Sequence, residues 1–198
     1  DENKIGKVLA YTHHMGQYLP DWHPYEDYRK VYFSKKESGA CREMFPFELN
    51  WLNWLVGSEI KKVQGLTAKV SDLEMMADDI IMANSIYNNG VIGSILIDVV
   101  SRKPFRTLRI LGSEGVLEWE WLENTIKIYN AQTKKTEIIS VSAGNSATGY
   151  ITVEEMYQDE MKSFLEAISG RAKYPYTFAE DLKNLQALMS FAVLNDKS

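Results

Sequence analysis

The chain has 198 residues and a formal net charge of −5, from 22 lysines and arginines against 27 aspartates and glutamates. A general nucleic-acid binder needs a cationic surface that releases counterions from phosphates, so this acidic balance argues against one. No apolar run approaches the roughly 20 residues that cross a bilayer, and the polar start DENKIGK lacks a signal-peptide core. We therefore expect a cytoplasmic protein without membrane or nucleic-acid partners, with residues 1–198 forming one domain.

The first predicted element is a strand over 8–12, followed by an aromatic loop over 13–29. Pro20 and Pro24 keep the loop backbone extended and rigid. The loop contains all three histidines, with three tyrosines and a tryptophan. Aromatic faces can stack on the C–H faces of a sugar while polar groups bind its hydroxyls, which indicates a small-molecule pocket. The sequence equally allows Trp22 and the tyrosines to plug the mouth of a sheet, with solvated histidines.

A helix is predicted over 43–56, because Phe45, Leu49, Leu52 and Val56 recur at helical spacing. Proline is tolerated in the first turn of a helix, so Pro46 places the start of the regular helix near itself. Gly57 is the predicted C-terminal stop, where a left-handed residue ends a helix at low cost.

Residues 60–141 read as strands. Asn88-Asn89-Gly90 predicts a hairpin with a type I′ turn, and Leu117, Trp119 and Trp121 alternate with polar neighbours. Period-2 alternation with short connections predicts an antiparallel sheet that has one buried and one wet face.

Two helices are predicted to close the chain, and Thr152 with Glu155 and Thr177 with Glu180 fit capping boxes at their starts. Helices on one face of an antiparallel sheet make a two-layer α+β domain. Gly170 is predicted to end the first helix. The predicted buried stripes are Val153, Tyr157, Met161, Phe164 and Ile168 in the first helix, and Phe178, Leu182, Leu185, Met189 and Val193 in the second.

Familiar catalytic motifs are missing from the sequence. The adjacent His13 and His14 would point to opposite faces of a strand and have no metal-binding spacing, so we predict no metal site. Cys41 is the single cysteine and is predicted to be a buried, inert thiol. No Gly-x-Gly-x-x-Gly occurs, so no cofactor-binding residues are assigned to this chain.

The order of elements resembles the C-terminal domain of the Gfo/Idh/MocA oxidoreductases over nearly the whole chain. The stretch from Gly39 to Gly57, ending in Trp-Leu-Val-Gly, is similar to the family's helix with its Asp-x-x-x-His-x-x-Asp pattern. The loop Gln17-Tyr18-Leu19-Pro20-Asp21-Trp22-His23-Pro24 resembles a subset associated with bacterial surface-sugar pathways. The resemblance implies a mostly antiparallel sheet like the C-terminal domain of glyceraldehyde-3-phosphate dehydrogenase. It also implies NAD or NADP bound by a separate N-terminal Rossmann domain, a sugar or nucleotide-sugar substrate, and homo-oligomers formed through the sheet.

The resemblance also implies site residues. Glu43 stands where the family has its first aspartate and Asn50 where it has the second, but Phe47 replaces the histidine that exchanges a proton with the substrate hydroxyl. A phenyl ring cannot carry that proton, so the catalytic candidates are Glu43 with His23 or His14, whose imidazoles titrate near neutral pH. The alternatives are a non-catalytic sugar-binding or assembly domain, and a scaffold that pairs subunits. The candidate substrate-binding residues are Tyr18, Trp22, Tyr25, Tyr28, Arg29, Phe47 and Asn50.

Overall fold

A computed structural model describes residues 4–22, 24–140 and 155–193. The strands are β1 (Val8–Tyr18), β2 (Ile60–Ala68), β3 (Ile80–Tyr87), β4 (Ile92–Asp98), β5 (Val100–Gly112), β6 (Gly115–Glu120), β7 (Thr125–Asn130), β8 (Lys135–Ser140) and β9 (Ala192–Val193). The helices are α1 (Leu19–Trp22), α2 (Cys41–Val56), α3 (Glu155–Ile168) and α4 (Phe178–Met189), and single 3-10 turns occupy Tyr28–Lys30 and Tyr32–Ser34.

The strands form one mixed sheet in the order β8-β7-β6-β5-β1-β4-β3-β2-β9. The β5–β8 and β2–β4 runs are antiparallel, as predicted. The central strand β1 lies between them, antiparallel to β5 but parallel to β4. The α+β class with a mostly antiparallel sheet is thereby confirmed.

The first strand is longer than predicted. It runs to Tyr18, so residues 13–18 are strand and not the loop that the prolines and aromatics indicated. Both edges of β1 are hydrogen-bonded to distant strands, and such non-local pairing overrides the local composition. His13 and His14 therefore point to opposite faces of the sheet. His13 faces the side that α2 covers, which we call the inner face, and His14 faces the outer face.

The β3–β4 hairpin lies at the predicted turn but has a different geometry. Only Gly90 adopts a positive φ, of 88°, among its three loop residues. The N–H of Gly90 donates to the Tyr87 carbonyl at 3.0 Å, and the N–H of Tyr87 donates to the Val91 carbonyl at 2.9 Å. A three-residue loop with the last residue in the left-handed region is the bulged alternative to a type I′ turn.

Helix α2 packs on the inner face and supplies much of the core. Phe45, Leu49 and Leu52 are buried, as the spacing predicted, and Gly57 ends the helix in the left-handed conformation with φ 62°. The helix starts earlier than predicted, at Cys41, and continues through Pro46. An interior proline costs about 3 kcal/mol through its lost hydrogen bond, and burial of the surrounding apolar side chains offsets that cost.

The predicted buried stripes of the last two helices are wrong where the structure describes them. Tyr157, Met161, Phe164 and Ile168 of α3 are exposed, as are Phe178, Leu182, Leu185 and Met189 of α4. The capping box of Thr177 and Glu180 and the left-handed Gly170 are present. Instead of the predicted stripe, α4 buries Asn184 and Leu188 against α2. Thr152 and Val153 lie outside the described residues, as do the side chains of Glu155 and Val193.

Candidate functional site

One face of α2 points away from the sheet and carries the residues that the sequence singled out. Glu43, Phe47, Asn50 and Trp54 follow one another at spacings of four, three and four, so they share this face. Phe47 is 69% exposed and Trp54 is 80% exposed, whereas Glu43 and Asn50 are half-buried. Large aromatic side chains with this much exposure are typical of a binding surface. We call these four residues the outward face of α2.

Glu43 is joined to this face by a tyrosine that the sequence did not indicate. The Tyr32 hydroxyl donates to Oε1 of Glu43 at 2.6 Å. Partial burial, with the neighbouring Glu43 carboxylate, raises the pKa of Tyr32 to about 12, so the phenol remains a donor at neutral pH. The other carboxylate oxygen, Oε2 of Glu43, is buried and has no hydrogen-bond partner among the described residues. That oxygen keeps an unused acceptor, which a ligand hydroxyl can reach only if the Glu43 side chain moves.

The aromatic segment before α2 is largely held by its own contacts. Trp22 stacks on Phe33 with ring centroids 4.8 Å apart, and the Tyr28 hydroxyl accepts the N–H of Glu74 at 3.2 Å. The ring of Tyr18 lies 3.8 Å beneath the Arg102 guanidinium, while Tyr25 is exposed. Trp22 therefore packs against the ring of a buried core residue, whereas Tyr25 presents most of its surface to solvent.

Arg29 forms ion pairs with two carboxylates. Its guanidinium donates to Asp27 and to Glu74, each at 2.8 Å. The hydrogen bond from Arg29 holds the pKa of Asp27 at about 2. These carboxylates occupy three of its five N–H groups, so Arg29 is held in place but keeps donors for a substrate.

The structure does not bring the predicted histidines to Glu43. His14 lies on the outer face, where its Nε2 is 2.8 Å from Oδ2 of Asp98 and its ring packs edge-on against Phe105. Helix α2, with Glu43, packs on the opposite face. His23 lies outside the described residues. The geometry therefore favours no direct partnership between Glu43 and His14, and the role of His23 stays a prediction.

A buried ionic cluster lies directly beneath the outward face of α2. Glu48, only 1% exposed, accepts hydrogen bonds from Trp51 Nε1 at 2.9 Å and from Arg106 Nη2. Its Oε2 also lies 2.7 Å from His13 Nε2. The other ring nitrogen of His13, Nδ1, lies 2.8 Å from the carbonyl oxygen of Thr107. The cluster thus joins α2 to β1 and to β5.

The sequence contains a signal for this cluster, which is a charged residue on the apolar side of the predicted helix. Glu48 lies one turn from Phe45 and from Leu52, on the apolar side of α2, where an ionised side chain needs a buried partner. Strand alternation places His13 on the same side of the sheet as Tyr11 and Met15. A charged residue on a buried helix face and a histidine on a buried strand face together indicate a pair.

Acid is expected to weaken the fold through the buried carboxylates. Burial by itself raises the pKa of Glu48, but the bonds from His13 and Arg106 outweigh it and leave that pKa lowered. The pKa of Asp98 is lowered in the same way, because the bonds from His14 and Ser101 outweigh its burial. Stability from a lowered pKa is present above the unfolded-state pKa and is lost as the pH falls through the folded-state pKa. We expect urea midpoints to fall steadily with pH below about 4, and less steeply in Asp98→Asn. A midpoint independent of pH there contradicts this expectation.

Cys41 matches its prediction. The thiol is fully buried and donates to the Ile97 carbonyl oxygen at 3.5 Å. Burial raises its pKa well above the ordinary value, which keeps it protonated and unreactive.

The starts of α2 and α4 do not fit a dinucleotide. A pyrophosphate binds at a glycine-rich turn before a helix, where N–H groups are free. Helix α2 has Glu43 in its first turn, and at the start of α4 the Thr177 side chain accepts from the N–H of Glu180.

Among the described residues, no group of three histidine, cysteine, aspartate or glutamate side chains could hold a metal ion. In that same part of the chain, no helix is long and apolar enough to span a bilayer.

Comparison with known proteins places this domain. The sequence profile described as "GFO/IDH/MocA C-terminal domain" matches residues 1–118, which is more than half of the chain. The chain belongs to the Gfo/Idh/MocA family. No curated protein matches it significantly.

Solved structures share the fold at low sequence identity. UDP-N-acetylglucosamine 3-dehydrogenase from Acidithiobacillus ferrooxidans superposes with a TM-score of 0.70 at 16% identity, over 94% of this chain and 53% of its own. Levoglucosan dehydrogenase, solved with NADH and levoglucosan, gives 0.75 at 18% identity, over 95% and 57%. An oxidoreductase domain protein from Kribbella flavida gives 0.75 at 17% identity, over 95% and 56%. The chain thus spans about half the length of these structures.

Proposed function

We propose that this chain is the substrate-side domain of an NAD(P)-dependent oxidoreductase that acts on a sugar or nucleotide-sugar hydroxyl, in sugar or polysaccharide metabolism. The observation that carries the proposal is the outward face of α2, where two exposed aromatic rings share a helix face with Glu43, whose Oε2 has no hydrogen-bond partner among the described residues. Family membership and the two sugar dehydrogenases among the structural relatives support it. The starts of α2 and α4 do not suit a dinucleotide, and the proposal assigns the cofactor to a separate Rossmann half.

The residues divide the work by their chemistry. Phe47 and Trp54 offer flat apolar surfaces to a sugar ring, with Tyr25 as a further exposed aromatic, and the Asn50 amide can bond a hydroxyl. The Glu43 carboxylate accepts a hydrogen bond from the substrate hydroxyl once its side chain turns the buried Oε2 outward, and the Tyr32 phenol holds Oε1 in the unbound arrangement. His23 remains the candidate to move a proton, because imidazole titrates near neutral pH.

The test is turnover by this domain joined to a nucleotide-binding half, with UDP-N-acetylglucosamine and levoglucosan as probe substrates and NAD or NADP as acceptor. We expect Glu43→Gln to lower kcat/KM about 10- to 100-fold, as the loss of a hydrogen bond to a charged group does. Glu118→Gln is the matched control, because Glu118 is exposed on the outer face, and it should leave turnover unchanged. Activity that survives Glu43→Gln, His23→Ala and His14→Ala contradicts the assigned roles.

A second candidate is a sugar-binding or assembly domain without catalysis. The exposed Phe47 favours it, because a phenyl ring binds a sugar face but transfers no proton. Calorimetric titration with the same nucleotide sugar should then show binding that Phe47→Ala weakens, while Phe47→His gains no turnover. A gain of turnover in Phe47→His supports the oxidoreductase instead.

The outer face of the sheet is the proposed surface for homo-oligomers. Met82, Ile86, Ile92, Leu111 and Tyr129 are all exposed there, which is a larger apolar surface than a lone domain usually leaves uncovered. Trp119 does not contribute to this surface, because it lies on the inner face against Trp51 with ring centroids 6.0 Å apart. Light scattering that returns a strict monomer contradicts this arrangement.

A further inference from the structure

The protonation of the buried ionic cluster follows from its hydrogen-bond partners. Glu48 accepts from Trp51 and from Arg106, and both donors stabilise the ionised carboxylate. An ionised carboxylate has no proton to donate, so the hydrogen between Glu48 and His13 belongs to Nε2 of the ring. Nδ1 of His13 carries a hydrogen as well, because the Thr107 carbonyl oxygen that it faces can only accept a hydrogen bond. His13 therefore donates from both nitrogens and is an imidazolium.

The result is a buried triad of one anion between two cations. His13 and Glu48 are almost completely buried, and Arg106 is about one third exposed. The pair of buried charges costs desolvation energy, which close contact on both carboxylate oxygens offsets. Unlike an apolar contact, such a triad holds in one geometry only, because every donor has to meet its oxygen. Glu48 and Trp51 are the immediate chain neighbours of Phe47 and Asn50 on the outward face.

We propose that Glu48 is a positioning residue: the triad it forms with His13 and Arg106 locks α2 in one register on the sheet and thereby fixes the outward face that binds substrate. The inference rests on the proposed function for its consequence, but the triad and its charge can be tested without any substrate. The charged groups that face Glu48 are His13 from β1 and Arg106 from β5. Trp51 from α2 completes the contacts, and its ring packs edge-on against His13 with centroids 5.1 Å apart.

The charge is read directly from the imidazole nitrogens by long-range ¹⁵N–¹H NMR of the 198-residue chain, whose three histidines are assigned by single substitution. We expect His13 to carry protons on both nitrogens at neutral pH. Glu48→Gln keeps the shape of the side chain but offers an amide N–H to Nε2, so His13 should become neutral with its proton on Nδ1. Asp98→Asn is the matched control, which should change the His14 signals and leave His13 unchanged.

How firmly the triad holds α2 is measured by the hydrogen-exchange rates of the α2 amides. Glu48→Gln should speed exchange across residues 47–54 about tenfold or more, as the loss of one charged hydrogen bond predicts, while β7 and β8 keep their rates. Arg106→Gln is the second variant, should Glu48→Gln not fold. It should leave His13 doubly protonated, since Glu48 is still ionised, and speed the same amides. A neutral His13 in the wild type, or unchanged α2 exchange in both variants, overturns the proposal.

The consequence for the site is measured in the joined enzyme with UDP-N-acetylglucosamine. We expect Glu48→Gln to raise KM for the sugar about tenfold or more while KM for the nucleotide is unchanged. A wild type without turnover on any sugar contradicts the proposed function but leaves the NMR and exchange results standing. Turnover in the wild type with an unchanged sugar KM in Glu48→Gln overturns the positioning role alone.

Discussion

Phe45→Ala is expected to lower the free energy of unfolding by about 3–5 kcal/mol, while Phe47→Ala lowers it by less than about 1 kcal/mol. The two phenylalanines are two residues apart on α2 and face opposite ways. Phe45 is fully buried and packs edge-on against Phe191 with ring centroids 5.0 Å apart. Its removal leaves a cavity in the core, whereas Phe47 has little packing to lose.

Urea denaturation followed by far-ultraviolet circular dichroism measures both values, and unchanged m-values show that the same surface unfolds. Sugar binding should change in the opposite order, with Phe47→Ala weakening it and Phe45→Ala affecting it only through stability. Equal destabilisation by the two variants would mean that α2 does not lie on the sheet in this orientation. The two variants therefore distinguish Phe45, which stabilises the fold, from Phe47, which is proposed to bind the sugar.

Much of the fold could be predicted because it is encoded locally. The helical spacing of Phe45, Leu49 and Leu52 located α2, and period-2 alternation predicted strands across 60–141, where β2 to β8 lie with a loop at 69–79 between the first two. The extent of β1 could not be predicted, because it is set by pairing with β4 and β5, some 80 to 100 residues further along the chain. Local patterns record which faces are apolar, and non-local contacts decide which of them are covered. The exposed stripes of α3 and α4 are the clearest case.

The candidate site divides in the same way. Glu43, Phe47 and Asn50 share a helix, so their common face follows from spacing alone. Tyr32 reaches Glu43 through the fold of the segment before α2, and Arg106 reaches Glu48 across the sheet. No single-sequence pattern places side chains from separate elements within hydrogen-bond distance. His14 was a candidate because it is close to the aromatic segment in sequence. It lies within β1, however, and strand alternation places it on the opposite face of the sheet from Glu43.

A line of buried and partly buried hydrogen bonds joins the sheet to α4. The Tyr11 and Tyr87 hydroxyls are 2.8 Å apart, and Tyr87 donates to Oδ1 of Asn53 at 3.1 Å. Asn53 donates to Oδ1 of Asn184 at 3.0 Å, and Asn184 in turn donates to the Tyr176 hydroxyl at 3.0 Å. Each group along this line uses its donor on the next, so one removal takes a hydrogen bond from two neighbours.

Asn184→Ala should therefore cost about 1–3 kcal/mol, more than its size suggests, because Asn53 loses an acceptor and Tyr176 loses a donor in a partly buried setting. Gln186→Ala is the matched control on the exposed side of α4 and should cost less than about 0.5 kcal/mol. In a double-mutant cycle, Asn53→Ala should add little once Asn184 is gone, which gives a coupling of about 1–3 kcal/mol. Additive losses would show that Asn53 and Asn184 stabilise the fold independently of each other.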